Sequence, residues 1–198
     1  MKSVSTAKAS LRLWRQVLVT WLLLGGWLVW AEESKPISEY QVKAVFLYNF
    51  TKFAYWPAEA DATANTPFVI GVVGEDSFGT ILDDAVRDEA VQHRPIVIRR
   101  YRRGETIAQC HILFIARSEK DRLNALLEQC KGQPILTVAD TARAAEQGVM
   151  INLLLVQGSV KMEINQRAVE AAGLKVSAKL LSLAKIVNPE ADEPPSQP

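Results

Sequence analysis

The sequence predicts an α/β fold: a single-domain sandwich with a largely parallel sheet, an antiparallel edge hairpin and helices on both faces. Three observations lead there. Short apolar, β-branched runs alternate with helix-spaced segments, the pattern of βα units rather than of an all-α or all-β chain. The stretch that reads as folded, residues 35–187 of 198, suits one domain and can bury roughly two thirds of its unfolded surface. Near the C-terminus two apolar runs meet at a Gly-Ser turn with no helix between them, which makes that pair antiparallel.

Residues 38–55 place Val42, Val45, Phe46, Phe50 and Phe53 at helical spacing, with Asn49 inside the stripe and Pro57 as the stop. PFVIGVVG (67–74) reads as a buried strand with a Gly exit. Residues 77–90 read as the helix that follows, capped by Asp76 or Ser77. Residues 94–101 and 111–116 are the second and third strands. Ser118 with Asp121 resembles a capping box for a helix over 118–130, which carries Leu123, Leu126, Leu127 and Cys130 on one face and ends at Gly132. Residues 134–140 give a fourth strand and 141–148 a short helix. VMINLLLVQG and SVKMEIN form the antiparallel pair around Gly158-Ser159, and QRAVEAAG and SAKLLSLAKIV are two closing helices.

The two ends read differently. Residues 1–31 combine Lys2, Lys8, Arg12 and Arg15, no acid, a 14-residue apolar run over 17–30 and a small-x-small site ending at Ala31. That is the pattern of a cleaved secretory signal peptide, and the run is shorter than the ~20 residues a membrane-spanning helix needs. Its removal leaves 19 bases against 22 acids, a mildly acidic exported chain with little to attract nucleic acid. Residues 188–198 hold four Pro, three acids and no large apolar side chain, so they read as a disordered tail.

The chemistry is sparse. His93 and His111 are the only histidines and have no metal-ligand spacing, so neither a metal site nor a cofactor is expected. The common nucleophile and phosphate-loop motifs are absent. GVVGEDSFG (71–79) reads more readily as a βα turn than as an anion cradle. Cys110 and His111 are strand neighbours and point to opposite faces, which separates a would-be nucleophile from its base. No catalytic residue emerges, and the chain is not expected to be an enzyme. Cys130 offers a different partner for Cys110. A strand over 111–116 travels about 20 Å and a helix over 118–130 returns about 18 Å, so the two cysteines finish at one level. An exported chain with an even Cys count favours a bridge; two buried free thiols are the competing reading. Arg99, Arg100, Arg102 and Arg103 surround Tyr101. They form either a solvated strand end or a surface for an anionic ligand or partner.

Four segments resemble the YfiR family of small periplasmic proteins: EYQVKAVFLYNFTKFAYWP (39–57), VIGVVGEDSFG (69–79), CHILFIARSE (110–119) and MEINQRAVEAAGLKVSAKLLSLAKI (162–186). The first and last carry most of the specificity. The resemblance implies export, a compact α/β fold and no enzymatic activity. It implies repression of an inner-membrane diguanylate cyclase through that enzyme's periplasmic sensor domain, limiting cyclic di-GMP and biofilm formation. It also implies sequestration by an OmpA-like outer-membrane lipoprotein, homodimers, and a role for disulfide state. Onto this sequence it carries Glu163, Ile164, Asn165, Leu174 and Lys175 as partner contacts, although Ile164 also reads as strand core and Asn165 as a helix cap. Tyr55, Trp56 and Pro57 read equally well as a core corner. The alternative function is a periplasmic small-ligand binder, for nucleotides or aromatic compounds, feeding a sensor kinase.

Overall fold

A computed structural model describes residues 38–57 and 66–188; the signal peptide expected over 1–31 and all but the first residue of the tail expected over 188–198 lie outside the described residues. Helix α1 (Glu39–Phe53) starts at a capping box: the Ser38 hydroxyl accepts from the Gln41 N–H, and Gln41 Oε1 accepts from the Ser38 N–H. Its buried face is Lys43, Ala44, Leu47, Phe50 and Thr51, so the expected stripe is rotated and Val45 is 54 % exposed. A lysine on the inner face is what misaligns the apolar pattern, and its partner is described below.

The strands are β1 (Ala54–Tyr55), β2 (Phe68–Val73), β3 (Ala90–Val91), β4 (Arg94–Tyr101), β5 (Ile112–Ile115), β6 (Leu136–Ala139), β7 (Ile151–Val156), β8 (Ser159–Ile164), β9 (Lys175–Val176) and β10 (Lys185–Ile186). Eight of them form one sheet in the order β10-β8-β7-β6-β5-β2-β4-β3, while β1 and β9 pair separately. The run β4-β2-β5-β6-β7 is parallel. The β7–β8 and β3–β4 pairs are antiparallel hairpins, each closed by two left-handed residues, Gln157-Gly158 and Gln92-His93. The fold class is as the sequence predicts.

Helices α1, α2 (Ile81–Val86), α4 (Gln166–Ala171) and α5 (Ala178–Leu181) contribute to one core cluster, with Phe50, Phe78, Ile112, Phe114, Leu153 and Ile164. Helix α3 (Leu123–Cys130) covers the other face through Leu123 and Leu126, against Leu113, Ile115 and Val149.

Several expected helices are shorter or absent, each for a local reason. The helix over 77–90 shrinks to α2 because Asp76 Oδ1 takes the Phe78 N–H in a turn (2.9 Å) and Asp88 adopts φ 61°. Ser118 forms no capping box; its hydroxyl accepts from the Glu75 N–H (2.8 Å), and a 3-10 turn over Arg117–Arg122 precedes α3. The helix expected over 141–148 is a series of turns broken at Arg143 (φ 63°), which lets the Val149 N–H return to the Ala144 carbonyl (3.1 Å). The last helix ends at Leu181, and Lys185–Ile186 instead pair with Glu163–Ile164.

Candidate functional site

The chain builds outward from β2 to β4, then reverses to β5, β6 and β7, so the β2–β5 junction is the topological switch point. In open α/β sheets the crevice beyond the strand C-termini at that point is where ligands bind. Here α1 is tied to that end of the sheet. Asp140, immediately after β6, is 4 % exposed, and its Oδ2 accepts from Lys43 Nζ (2.7 Å), Tyr40 OH (2.9 Å) and Arg117 Nη2 (3.1 Å). Lys43, fully buried, also reaches Glu39 one helical turn earlier, and Arg117 Nη2 donates to the same Glu39 oxygen (2.8 Å). Asp140 Oδ1 is buried with no hydrogen-bond partner among the described residues. Burial by itself would raise the Asp140 carboxyl; the Lys43 ammonium, Tyr40 and Arg117 outweigh it and hold the group below the usual carboxylate range. Lys43 and the Asp140 side chain reach no solvent. The cluster therefore fastens α1 to the C-terminal ends of the central strands β5 and β6. None of its members was singled out from the sequence. The available signal was a lysine within an apolar helix and an aspartate closing PILTVAD.

The Gly-containing loop between β2 and α2 is also spent internally. Two of its N–H groups, those of Glu75 and Phe78, go to Ser118 and Asp76. His111 is structural: its Nδ1 accepts from the Val69 N–H (3.0 Å), its ring stacks on Phe68 (4.3 Å), and Arg94 Nη2 lies 2.8 Å from Nε2. Trp56 packs edge-on against Phe68 and donates to the His111 carbonyl (3.2 Å), while Tyr55 is exposed. Cys110 falls in the opposite core cluster, beside Cys130.

Of the five partner candidates, Ile164, Leu174 and Asn165 are buried. Asn165 caps α4, its Oδ1 accepting from the Ala168 N–H (3.0 Å), and donates to the Ala145 carbonyl. In this structure Ile164 is strand core, Asn165 a helix cap and Leu174 a buried residue of the link before β9, so these three side chains do not lie on the surface. Lys175 is exposed and Glu163 half-buried, 3.5 Å from Lys185 and accepting from Asn152 Nδ2 (3.3 Å). The arginines also divide. Arg99 pairs with Glu105 (3.0 Å), and Arg100 with Asp76 (2.6 Å) and Asp83; Arg102 and Arg103 are exposed. Both cysteines are free thiols here and buried.

The geometry thus defines an α/β domain with a mostly parallel sheet, whose first helix is tied by a buried ion pair to the loops after β5 and β6. By sequence it belongs to the YfiR/HmsC-like family (DUF4154), whose profile matches residues 40–185. That family comprises periplasmic regulators acting with partner proteins in cyclic di-GMP signalling. A comparison with curated proteins gave no match.

Proposed function

We propose that the chain is an exported repressor that binds the periplasmic sensor domain of an inner-membrane diguanylate cyclase, lowering cyclic di-GMP and biofilm formation. The family match over residues 40–185 carries this reading. An OmpA-like lipoprotein that sequesters the repressor, and a homodimer, belong to the same proposal. Repression requires differential binding: the chain must favour the cyclase's inactive conformation, since equal affinity for both would shift nothing.

The surface that fits is the β8–β10 end of the sheet. Strand β10 covers only Glu163–Ile164, so Ser159–Met162 have no outer partner strand among the described residues. Leu155, Val156, Leu183 and Ile186 are exposed in this half of the sheet and its flanking turn. Changing Glu163→Lys or Lys175→Glu should raise cellular cyclic di-GMP, with melting shifted little for Lys175→Glu because that side chain is exposed. Normal repression by Glu163→Lys would remove the β8–β10 surface from the proposal, and normal repression by Lys175→Glu would remove the separate β9 position. Mass spectrometry of the periplasmic fraction should find a chain beginning at Glu32; an intact Met1 in membranes would argue against a soluble repressor.

A further inference from the structure

The opposite end of the sheet carries a second unpaired edge. Strand β4 has eight residues, but β3 covers only Arg94 and Pro95. Ile96 turns its N–H outward to the Glu89 carbonyl (3.2 Å). By the two-residue period of a strand, Ile98 and Arg100 also turn their N–H and C=O outward, and no described strand lies beyond them.

A cleft flanks this edge on each side. One, of about 750 Å³, is lined by Val69, Val97, Arg99, Cys110 and Ile135. The other, of about 570 Å³, is lined by Val86, Ile96, Val97 and Ile98 together with Arg87 and the acids Asp83, Asp88 and Glu89, so it suits the apolar side chains of an added strand and leaves the acidic ones to the Arg99 side. Val97, 44 % exposed, borders both. A strand added here would gain main-chain hydrogen bonds and drop alternate side chains into the two clefts, the geometry of β-augmentation.

Charge selects the occupant. RPIVIRRYRR (94–103) contains five arginines and no acid; Arg94 is buried, Arg99 is paired with Glu105 and Arg100 with Asp76 and Asp83, while Arg102 and Arg103 stand exposed at its end. Pairing with the same strand of a second copy would add cations to cations, which is unfavourable. We propose that the β4 edge docks an extended segment of a partner protein in which acidic and apolar residues alternate. The chain would then hold two proteins, one at each end of its sheet.

The test uses protein recovered after export and a fluorescein-labelled peptide of about ten residues, long enough for one strand, alternating valine with glutamate. Controls carry a central proline, or lysine for glutamate. Binding should weaken about tenfold or more with either control peptide, with Arg102→Glu/Arg103→Glu, and at high salt. Amide exchange at Ile98 and Arg100 should slow when the glutamate peptide is bound. Failure of that peptide to bind, binding of the proline peptide within about twofold of it, or unchanged exchange at those amides would overturn the proposal. So would a homodimer that dissociates in the double-arginine variant, which would assign the edge to a second copy. Glu163 variants should bind the peptide normally, so this outcome is separable from the cyclase reading.

Discussion

Replacing Asp140 by alanine is expected to cost about 3–5 kcal/mol of folding stability, because it removes the wholly buried partner of the Lys43 ammonium and leaves only the less buried Glu39. Lys43 and the Asp140 side chain are wholly buried, and α1 has no other acid at this depth than Glu39. In a domain of this size each kcal/mol shifts melting by roughly 2–4 °C, so the drop should be roughly 6–20 °C. Asp140→Asn should fall between, since the amide keeps the shape and an acceptor but loses the charge. The double change Lys43→Met/Asp140→Leu should recover most of the loss, because replacing both members of a buried ion pair removes the desolvation cost along with the attraction. The pH dependence follows from the carboxyl's depressed folded value. A group lowered on folding stabilises fully above its unfolded value of about 4 and loses that contribution as pH falls through the lower folded value. Acid titration of stability should therefore be shallower in Asp140→Asn. An alanine variant within about 1 kcal/mol of wild type would show that water reaches Lys43 and that the latch is weak.

This latch marks the limit of what the sequence discloses. Strand identity and the largely parallel sheet follow from period and turn signals, although the strand order does not: PFVIGVVG, HILFIA and PILTVAD are mostly apolar because central parallel strands are buried on both faces. The final hairpin is legible from its local turn signal, although the turn residues are Gln157-Gly158, one position before the expected Gly158-Ser159. Two-residue strands are not, since β1, β3, β9 and β10 exist only through their tertiary partners. The Lys43–Asp140 pair joins residues about a hundred positions apart, and periodicity assigns a lysine to the outer face. The division of the arginines is equally non-local: Arg100 is tied down by Asp76 and Asp83, leaving Arg102 and Arg103 to face solvent.

The protein recovered after export is expected to contain a Cys110–Cys130 disulfide worth about 3 kcal/mol, the loop-closure value for a loop of this length. Both sulfurs lie in the core cluster beneath α3, and Cys110 adds to what burial does at Cys130. Burial pushes the Cys110 thiol up to about 11 and Cys130 to about 12. At neutral pH about one Cys110 in ten thousand is then a thiolate, the form that attacks a disulfide or an alkylating agent. With so little thiolate available in the folded chain, the bridge is expected to form before α3 packs on the sheet, during the proposed export, and a folded reduced chain should oxidise slowly. Maleimide labelling separates the cases. Unreduced protein, denatured, should show no reactive thiol; reduced protein should label at two sites when denatured and barely at all when native. Cys130→Ala should melt with the reduced wild type rather than the oxidised one. Two labelled thiols in unreduced, denatured protein would refute the bridge, as would a Cα separation above about 7 Å in a crystal structure. In that event the pair serves as buried packing, and redox control of this chain would have no covalent basis.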